Sequence, residues 1–169
     1  MTERMELPKE GDERTRVERG SDLDLVTTRR FEAPVELVFK AWTKPALFTR
    51  WWVPPSVGIP IRSCEMDVRT GGSYRLEFGK DADDVFCFFG NYLEVDPPAR
   101  LVWTNDEGEN GPVTTVTFTP DGTGTLLVMH DRYPTKEALN EALVGMEGAA
   151  PAQFAQLDEL LESLRSDAG

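Results

Sequence analysis

Apolar and polar positions alternate differently in three parts of the chain. The segment "LDLVTTRRF" alternates as a strand does, whereas "APVELVFKAWT" has its apolar residues at the spacing of one helix face. The segment "PALFTRWW" predicts one further short helix, because Pro54 and Pro55 follow it and cannot continue a helix. The folded part of the chain therefore begins with a strand and two helices.

A long central stretch changes to a period of two. Its alternating segments are "VGIPIRSCEMDV", "GSYRLEFG", "VFCFFGNYLEV", "ARLVWTND", "VTTVTFTP" and "GTLLVMHDRY". Turn residues such as Gly71-Gly72 and Asp121-Gly122 separate them, and such short connections favour antiparallel neighbours. Gly90 lies inside one segment and predicts a bulge or sharp bend there. The pattern predicts a meandering antiparallel sheet.

The C-terminal part returns to helical spacing. Thr135 is placed to cap a helix over "KEALNEALV", and Gly145 and Gly148 are expected to end it before a second helix begins near Ala149. The second segment repeats apolar residues at intervals of three and four, at Phe154, Leu157, Leu161 and Leu164. Such a stripe needs an apolar partner surface, and the curved sheet is the only one large enough.

The N-terminus lacks either pattern. Residues 1–20 are mostly charged or polar, so they are expected to form a flexible tail. A chain of 169 residues suits one continuous core, and we expect a single domain over residues 21–166.

Charge and composition exclude several classes of function. The formal net charge of −12 opposes binding to nucleic acid or to anionic membrane surfaces. No run approaches the roughly 18 apolar residues of a membrane span, and the N-terminus lacks the apolar stretch of a signal peptide, so a cytoplasmic protein is expected. Cys64 and Cys87 have no ligand spacing and are expected to be reduced core thiols, with no metal and no cofactor.

Aromatic residues concentrate on the predicted inner face of the sheet. Strand alternation predicts that the following aromatic residues face the inside of the sheet: Tyr74, Phe78, Phe86, Phe88, Tyr92, Trp103 and Phe118. One helix cannot fill a strongly bent sheet, so the remaining space is either dense aromatic core or a pocket. Trp51 and Trp52 are adjacent and point in different directions, so we expect one indole in the core and the other at a pocket entrance.

Catalytic chemistry has little support in the sequence. His130 is next to Asp131, but adjacent residues do not place their side chains together, and no nucleophile motif is present. No catalytic residue is predicted, and whether the protein is an enzyme stays open. Asp67 and Arg69 share one strand face and are expected to form an ion pair at the turn.

Four segments, taken in order, carry a family resemblance. They are "FEAPVELVFKAWTKPALFTRWWVPP", "CEMDVRTGGSYRLEFG", "GNYLEVDPPARLVWT" and "PVTTVTFTP". From Leu23 to Leu164 the chain resembles the bacterial proteins similar to the C-terminal domain of the activator of Hsp90 ATPase, within the START-like (SRPBCC) superfamily. The resemblance implies an α+β helix-grip fold (START-like, Bet v1-like), in which a curved antiparallel sheet wraps around a long C-terminal helix. Many relatives hold a hydrophobic ligand inside.

Two departures from the family pattern bear on that cavity. The family's Trp-Trp-Gly-Pro reads Trp-Trp-Val-Pro here, and its Gly-Trp pair in the last helix falls at Ala149-Ala150, after Gly145-Met146. Losing an indole there enlarges the cavity unless Phe154 fills it. The complete set of predicted ligand-binding residues is Trp51, Trp52, Tyr74, Phe78, Phe86, Phe88, Tyr92, Trp103, Phe118, Met146, Ala150 and Phe154.

The sequence and the family resemblance together suggest three functions. The leading hypothesis is binding of a small hydrophobic or aromatic molecule between the sheet and the last helix. The alternatives are a cyclase- or hydrolase-like enzyme that uses the same cavity, and, by family analogy alone, a co-chaperone-like module in the stress response that acts on an Hsp90-type ATPase. A homodimer is a further possibility, because "VFCFFG" carries apolar residues on both strand faces.

Overall fold

The computed structural model describes residues 15–52, 61–79, 85–106 and 111–168. The side chains of Phe86 and of residues 145–149 and 167–168 lie outside the description. The predicted turn at Pro54 and Pro55 also lies outside the described residues.

Eight strands and three helices occur within the described ranges. The strands are β1 (Thr15–Arg19), β2 (Asp24–Phe31), β3 (Ile61–Met66), β4 (Ser73–Gly79), β5 (Val85–Asp96), β6 (Arg100–Thr104), β7 (Val113–Asp121) and β8 (Gly124–Arg132). The helices are α1 (Val35–Thr43), α2 (Pro45–Trp51) and α3 (Lys136–Ala168).

The strands form one sheet in the order β1-β2-β8-β7-β6-β5-β4-β3, with every neighbouring pair antiparallel. Strands β3 to β8 are consecutive neighbours, so the predicted meander is confirmed. Strand β2 pairs with β8, the last strand of the meander, and so adds β2 and β1 to the same sheet. Helices α1 and α2 lie in the connection between β2 and β3. The predicted α+β helix-grip class is confirmed.

The core lies between the inner face of the sheet and the helices. Its sheet side includes Leu76, Leu101, Val116 and Leu127. Its α3 side includes Phe154, Leu157, Leu160 and Leu161. Phe154, Leu157 and Leu161 belong to the predicted apolar stripe, Leu164 of that stripe is only partly buried against the core, and Leu160 was not predicted. Burying each core side chain stabilises the fold by about 1.5–3 kcal/mol. The stripe therefore holds α3 against the sheet.

Helix α3 differs from its sequence prediction. The glycines at 145 and 148 do not end a helix, because one helix of 33 residues runs from Lys136 to Ala168 and includes Pro151. A helical glycine costs only about 1 kcal/mol relative to alanine. Burial of apolar side chains on both sides of this segment outweighs that cost. The predicted break was wrong, whereas the long helix implied by the family resemblance is present.

The segment predicted as a tail contains strand β1. It pairs with β2 from Thr15 opposite Arg29 to Arg19 opposite Leu25. Val17 packs against a small buried cluster that includes Leu25, so even this charged segment buries an apolar side chain. Residues 15–19, which fall within the segment predicted as a tail, therefore form a strand of the sheet. Charged residues flank Val17, so the sequence here does not show the apolar–polar alternation typical of a buried strand.

Gly90 lies where a strand changes its partner. Strand β5 pairs with β4 as far as Asn91 and with β6 from Tyr92, and the register shift falls between Tyr92 and Glu94. The predicted bulge is therefore not at Gly90 itself. A Cβ at Gly90 would lie 2.0 Å from the main-chain oxygen of Thr104, so the glycine permits a close approach of two backbones.

Candidate functional site

An apolar cavity lies between the inner sheet face and helices α1 and α2. Its described lining includes no residue of α3, so it does not lie between the sheet and the last helix, where the sequence predicted it. Its lining residues are Trp42, Phe48, Trp52, Met66, Tyr74, Leu76, Phe88, Tyr92, Leu101, Trp103 and Asn105. The cavity volume is about 40 Å³, room for a few water molecules. Sites for drug-sized ligands span roughly 300–1,000 Å³, so a bound ring requires side chains at the entrance to move.

Trp42 lies at the centre of the aromatic wall. Its ring centroid is 5.9 Å from that of Trp103 and 6.0 Å from that of Trp52. The ring is almost fully buried, and its indole nitrogen has no hydrogen-bond partner among the described residues. A buried donor without a partner costs about 1–3 kcal/mol.

Two lining residues at the entrance remain in contact with solvent. Phe88 is 43% exposed, and Trp52 is half-buried and stacks on Phe48 with 4.7 Å between ring centroids. Phe88 packs against the core residue Phe78 on one side and contacts solvent on the other, so its movement would break fewer buried contacts than movement of a fully buried lining residue. The entrance is therefore the part of the wall that can widen.

Trp51 takes the opposite role to its neighbour. It is fully buried, and its indole Nε1–H donates to the main-chain oxygen of Ala41 at 3.0 Å. Two glutamine side chains of α3 bind the C-terminal end of α2. Gln156 donates a hydrogen bond to the main-chain oxygen of Trp51 at 3.0 Å, and Gln153 donates one to the main-chain oxygen of Trp52 at 2.6 Å. Trp51 therefore lies in the core and Trp52 lines the cavity. Ligand contact by Trp52 stays a prediction.

The polar end of the cavity is formed by Tyr74 and Asn105. The Tyr74 hydroxyl donates to the main-chain oxygen of Thr104 at 2.8 Å and lies 3.3 Å from Asn105 Oδ1. Asn105 Nδ2 donates to the main-chain oxygen of Pro112 at 2.7 Å and to Thr114 Oγ1 at 3.1 Å. These bonds fix both side chains at the cavity wall.

The polar contacts continue away from the cavity to a buried acid. Thr114 Oγ1 donates to Asp131 Oδ1 at 2.5 Å, across the directly paired strands β7 and β8. Asp131 is buried, and this burial raises the pKa of its carboxyl to about 6, although the Thr114 hydrogen bond opposes the shift. A titratable group is thus connected to the cavity through two side chains.

Two other groups near the cavity keep their protons at neutral pH. Burial raises the pKa of the Tyr92 phenol, and burial raises the pKa of the Cys64 thiol to about 11. Tyr92 therefore presents a neutral phenol to the cavity, and Cys64 is a poor nucleophile.

The predicted site residues separate into three groups. Those that line the cavity are Trp52, Tyr74, Phe88, Tyr92 and Trp103. Those that lie in the core without lining it are Trp51, Phe78, Phe118, Ala150 and Phe154. Those whose side chains lie outside the described part of the structure are Phe86 and Met146.

Packing explains the placement of the core group. Phe154 is fully buried and contacts Trp42 and Trp51, with centroids 6.4 and 6.2 Å apart. It lies one helical turn after Ala150 on α3, the position at which the family resemblance predicts an indole. Phe118 packs edge-on against Phe39 and Trp42. Neighbouring rings thus separate Phe118 and Phe154 from the cavity.

Several lining residues are absent from the predicted ligand-binding set, although strand alternation places Leu76 and Leu101 on the inner face. They are Trp42, Phe48, Met66, Leu76, Leu101 and Asn105. Asn105 follows Trp103 by two positions, so the period of a strand places both on the same face. Trp42 lies at helical spacing in the first predicted helix, but spacing does not show which side chains leave a space between them.

Other candidate groups lie away from the cavity. His130 Nε2 lies 2.7 Å from Asp24 Oδ1, and does not pair with the adjacent Asp131. The predicted ion pair is present, with Arg69 Nε 2.9 Å from Asp67 Oδ2, but it is exposed. Over the described ranges, no cluster of three or more His, Cys, Asp or Glu residues could hold a metal ion. Among the same residues, no helix has the length and apolar content to cross a membrane.

The curved antiparallel sheet and its long C-terminal helix define a START-like (SRPBCC) helix-grip protein. The chain belongs to the family described as Activator of Hsp90 ATPase homolog 1-like protein, whose model matches residues 32–162.

Solved structures agree with this assignment. A crystal structure of a protein from Rhodobacter sphaeroides is 26% identical with a TM-score of 0.80, and the match covers 89% of this chain and 99% of that chain. A crystal structure of a protein from Nitrosomonas europaea is 26% identical with a TM-score of 0.75, covering 86% of this chain and 98% of that one. The AHSA1-like protein from Aeromonas hydrophila, at 22% identity and a TM-score of 0.65, covers 79% of this chain and 92% of its own, and shows the fold alone. A comparison with curated proteins found no match.

Proposed function

We propose that this protein binds a small apolar or aromatic molecule in the cavity between the sheet and the helices. The observation that carries the proposal is the cavity's lining, in which aromatic and aliphatic side chains enclose the space and hydrogen-bonding side chains meet at one end. An apolar concavity with a few oriented polar groups is typical of small-molecule sites.

Binding requires the entrance to widen, because the cavity of about 40 Å³ is smaller than one aromatic ring. Phe88 is the group that moves, since it already contacts solvent. Burial of the ligand's apolar surface offsets the loss of the contacts that Phe88 makes with Phe78, 5.1 Å away between ring centroids. The bound state is therefore more open at the entrance than the structure described above.

An enzyme that uses the same cavity would need a group that moves a proton. The described lining contains two tyrosines and Asn105 but no carboxylate or imidazole. These observations favour binding over a cyclase- or hydrolase-like reaction. Conversion of a bound molecule would appear as a new mass during incubation with the protein, and would establish the enzyme alternative.

Native mass spectrometry of the freshly purified chain tests the proposal without knowledge of the ligand. We expect a copurifying small molecule that is released on denaturation. Titration with toluene, followed by ¹H–¹⁵N NMR, tests the cavity directly. Met66→Phe fills part of the cavity and should weaken toluene binding by about fivefold or more, since each excluded methylene is worth about 0.8 kcal/mol.

Leu93→Phe is the matched control. It adds a ring at an exposed position of β5 that does not line the cavity, and should leave toluene binding unchanged. Absence of both a released molecule and any toluene shift in the unaltered chain would overturn the proposal. Equal weakening in the two variants would place toluene elsewhere.

A second candidate function is docking on an Hsp90-type ATPase, as the family description suggests. The observation that favours it is the outer face of β5, where Val85, Phe89 and Leu93 are exposed. Exposed apolar residues on a sheet face are candidates for contact with a partner. Stimulation of ATP hydrolysis by the chain, reduced in Leu93→Ser, would support this function and a role in the stress response. A doubled mass in light scattering that Leu93→Ser returns to the monomer mass would instead assign the face to a homodimer.

A further inference from the structure

We propose that the cavity selects neutral aromatic molecules that carry a hydrogen-bond donor, and that the side-chain oxygen of Asn105 accepts that hydrogen bond. This inference rests on the proposed function and names its ligand class. Asn105 would be the residue that determines specificity, and Thr114 would position it.

The orientation of the Asn105 amide follows from its partners. An amide nitrogen has two N–H donors, and those of Asn105 point to the main-chain oxygen of Pro112 and to Thr114 Oγ1. A main-chain carbonyl can only accept, so the nitrogen, and not the oxygen, must face Pro112. Both donors are therefore used within the protein, and only the amide oxygen remains for a ligand.

The Asn105 oxygen retains the capacity to accept a hydrogen bond. Among the described residues its hydrogen-bonding neighbour is the Tyr74 hydroxyl at 3.3 Å, but the single proton of that hydroxyl lies on the shorter bond, 2.8 Å, to the Thr104 carbonyl. A carbonyl oxygen has two lone pairs. Because Asn105 itself lines the cavity, a ligand donor can supply the missing hydrogen bond.

Thr114 and Asp131 hold the amide in this orientation. The Thr114 hydroxyl donates its only proton to Asp131 Oδ1 at 2.5 Å, so the Thr114 oxygen can only accept from Asn105. Asp131 faces Thr114 directly across the paired strands. The three side chains therefore form one directed series of hydrogen bonds that ends in an acceptor at the cavity wall.

Charge and shape narrow the ligand class further. The ring walls formed by Trp42, Trp103 and Phe48 favour a planar aromatic group. An acceptor at the polar end repels a carboxylate, and the net charge of −12 disfavours anions generally. A neutral aromatic compound with a hydroxyl or N–H group has the planar ring, the lack of negative charge and the hydrogen-bond donor that the cavity favours.

Phenol and toluene test the inference, because they differ chiefly in one donor on a ring of similar size. The dissociation constants for both probes are measured by ¹H–¹⁵N NMR titration of the full chain. Asn105→Leu should weaken phenol binding about fivefold, as expected for one net hydrogen bond, and leave toluene binding unchanged or tighter. The matched control Asn91→Leu removes an exposed amide that does not line the cavity, and should change neither constant.

Thr114 supplies an independent test if Asn105→Leu fails to fold. Thr114→Val removes the hydroxyl that orients the amide and should weaken phenol binding about threefold, with toluene binding unchanged. Thr114→Ser restores the hydroxyl and should restore the phenol affinity. Equal phenol affinity in these two variants would overturn the inference.

The outcomes separate this inference from the proposed function. If neither probe binds the unaltered chain, the proposed function fails. If both probes bind and Asn105→Leu weakens them equally, the cavity still binds small molecules, but selection by Asn105 is wrong.

Discussion

The indole nitrogen of Trp51 donates a hydrogen bond to the main-chain oxygen of Ala41 at 3.0 Å, within the core that joins α1 to α2. The next residue, Trp52, is half-buried, stacks on Phe48 and lines the cavity. Adjacent positions on one helical turn point in different directions, so two neighbouring indoles serve two surfaces.

This arrangement predicts that stability and binding respond to different tryptophans. Trp51→Phe removes a buried hydrogen bond and part of a buried ring, and should lower the free energy of unfolding by about 2–3 kcal/mol. Trp52→Phe should lower it by less than about 1 kcal/mol but change the affinity for toluene. Urea denaturation followed by circular dichroism and NMR titration measure the two effects. Equal losses of stability and affinity in both variants would contradict the division.

The buried carboxyl of Asp131 predicts a dependence of stability on pH. Burial raises its pKa in the folded state from 3.8 to about 6, so the folded chain holds this proton more tightly than the unfolded chain does. Its contribution to stability is fully present below pH 4 and is lost as the pH rises through about 6. Two pKa units correspond to about 3 kcal/mol.

Asp131→Asn removes this titration. At pH 7.5 the variant should be more stable than the unaltered chain, by up to about 3 kcal/mol, and the difference should shrink towards zero below pH 4. Urea denaturation at several pH values measures it. Other carboxylates contribute the same pH dependence of stability to both proteins, so most of their contribution cancels in the difference. His130 and Tyr133, which interact electrostatically with Asp131, are also present in both proteins. A difference that does not vary with pH would exclude this role for Asp131.

A partly buried ion pair joins the sheet to the last helix. Arg29 of β2 is almost fully buried and donates to Asp158 of α3 at 3.0 Å and to Thr15 of β1 at 3.1 Å. Asp158→Ala leaves the guanidinium buried without this carboxylate and should cost about 2–4 kcal/mol. The double variant Arg29→Met with Asp158→Ala removes the buried charge as well.

Thermal and urea unfolding compare these variants. The double variant should recover more than half of the stability lost in Asp158→Ala, because an apolar side chain carries no cost for burying a charge. Glu77→Ala, which breaks an exposed pair with Arg75, is the control and should change stability by less than about 0.5 kcal/mol. A cost for Asp158→Ala no larger than that of the control would show that the Arg29–Asp158 pair contributes little to stability.

The close approach at Gly90 predicts a severe effect from a single methyl group. Gly90→Ala places a Cβ 2.0 Å from the main-chain oxygen of Thr104, so one of the strands β5 and β6 must shift. We expect a loss of about 3 kcal/mol or more. Ser73→Ala, at an exposed position of β4, is the control and should be nearly neutral. Similar melting temperatures for the two variants would show that the strands separate easily here.

Local patterns predicted most of the elements. Alternation located β2 to β8, helical spacing located α1 and α2, and short turns implied the antiparallel order. These features depend on neighbours within a few residues, which sequence displays directly. Strand β1 was missed because charged residues surround Val17 and mask the alternation, although its partner β2 is close in sequence. The continuity of α3 through Gly145 was missed because contacts with distant segments stabilise the helix.

The sequence by itself determined the period of each segment, the acidic character of the chain and the inward direction of its aromatic residues. Tertiary structure decided which rings meet and which leave a space: Phe154 fills the core beside Trp51, whereas Trp52 and Trp103 border the cavity. It also brought Asn105, Thr114 and Asp131 into hydrogen-bond contact from three separate segments. The physical reason is that a face follows from local geometry, whereas a void or a hydrogen-bond series depends on distances between elements that are far apart in the chain.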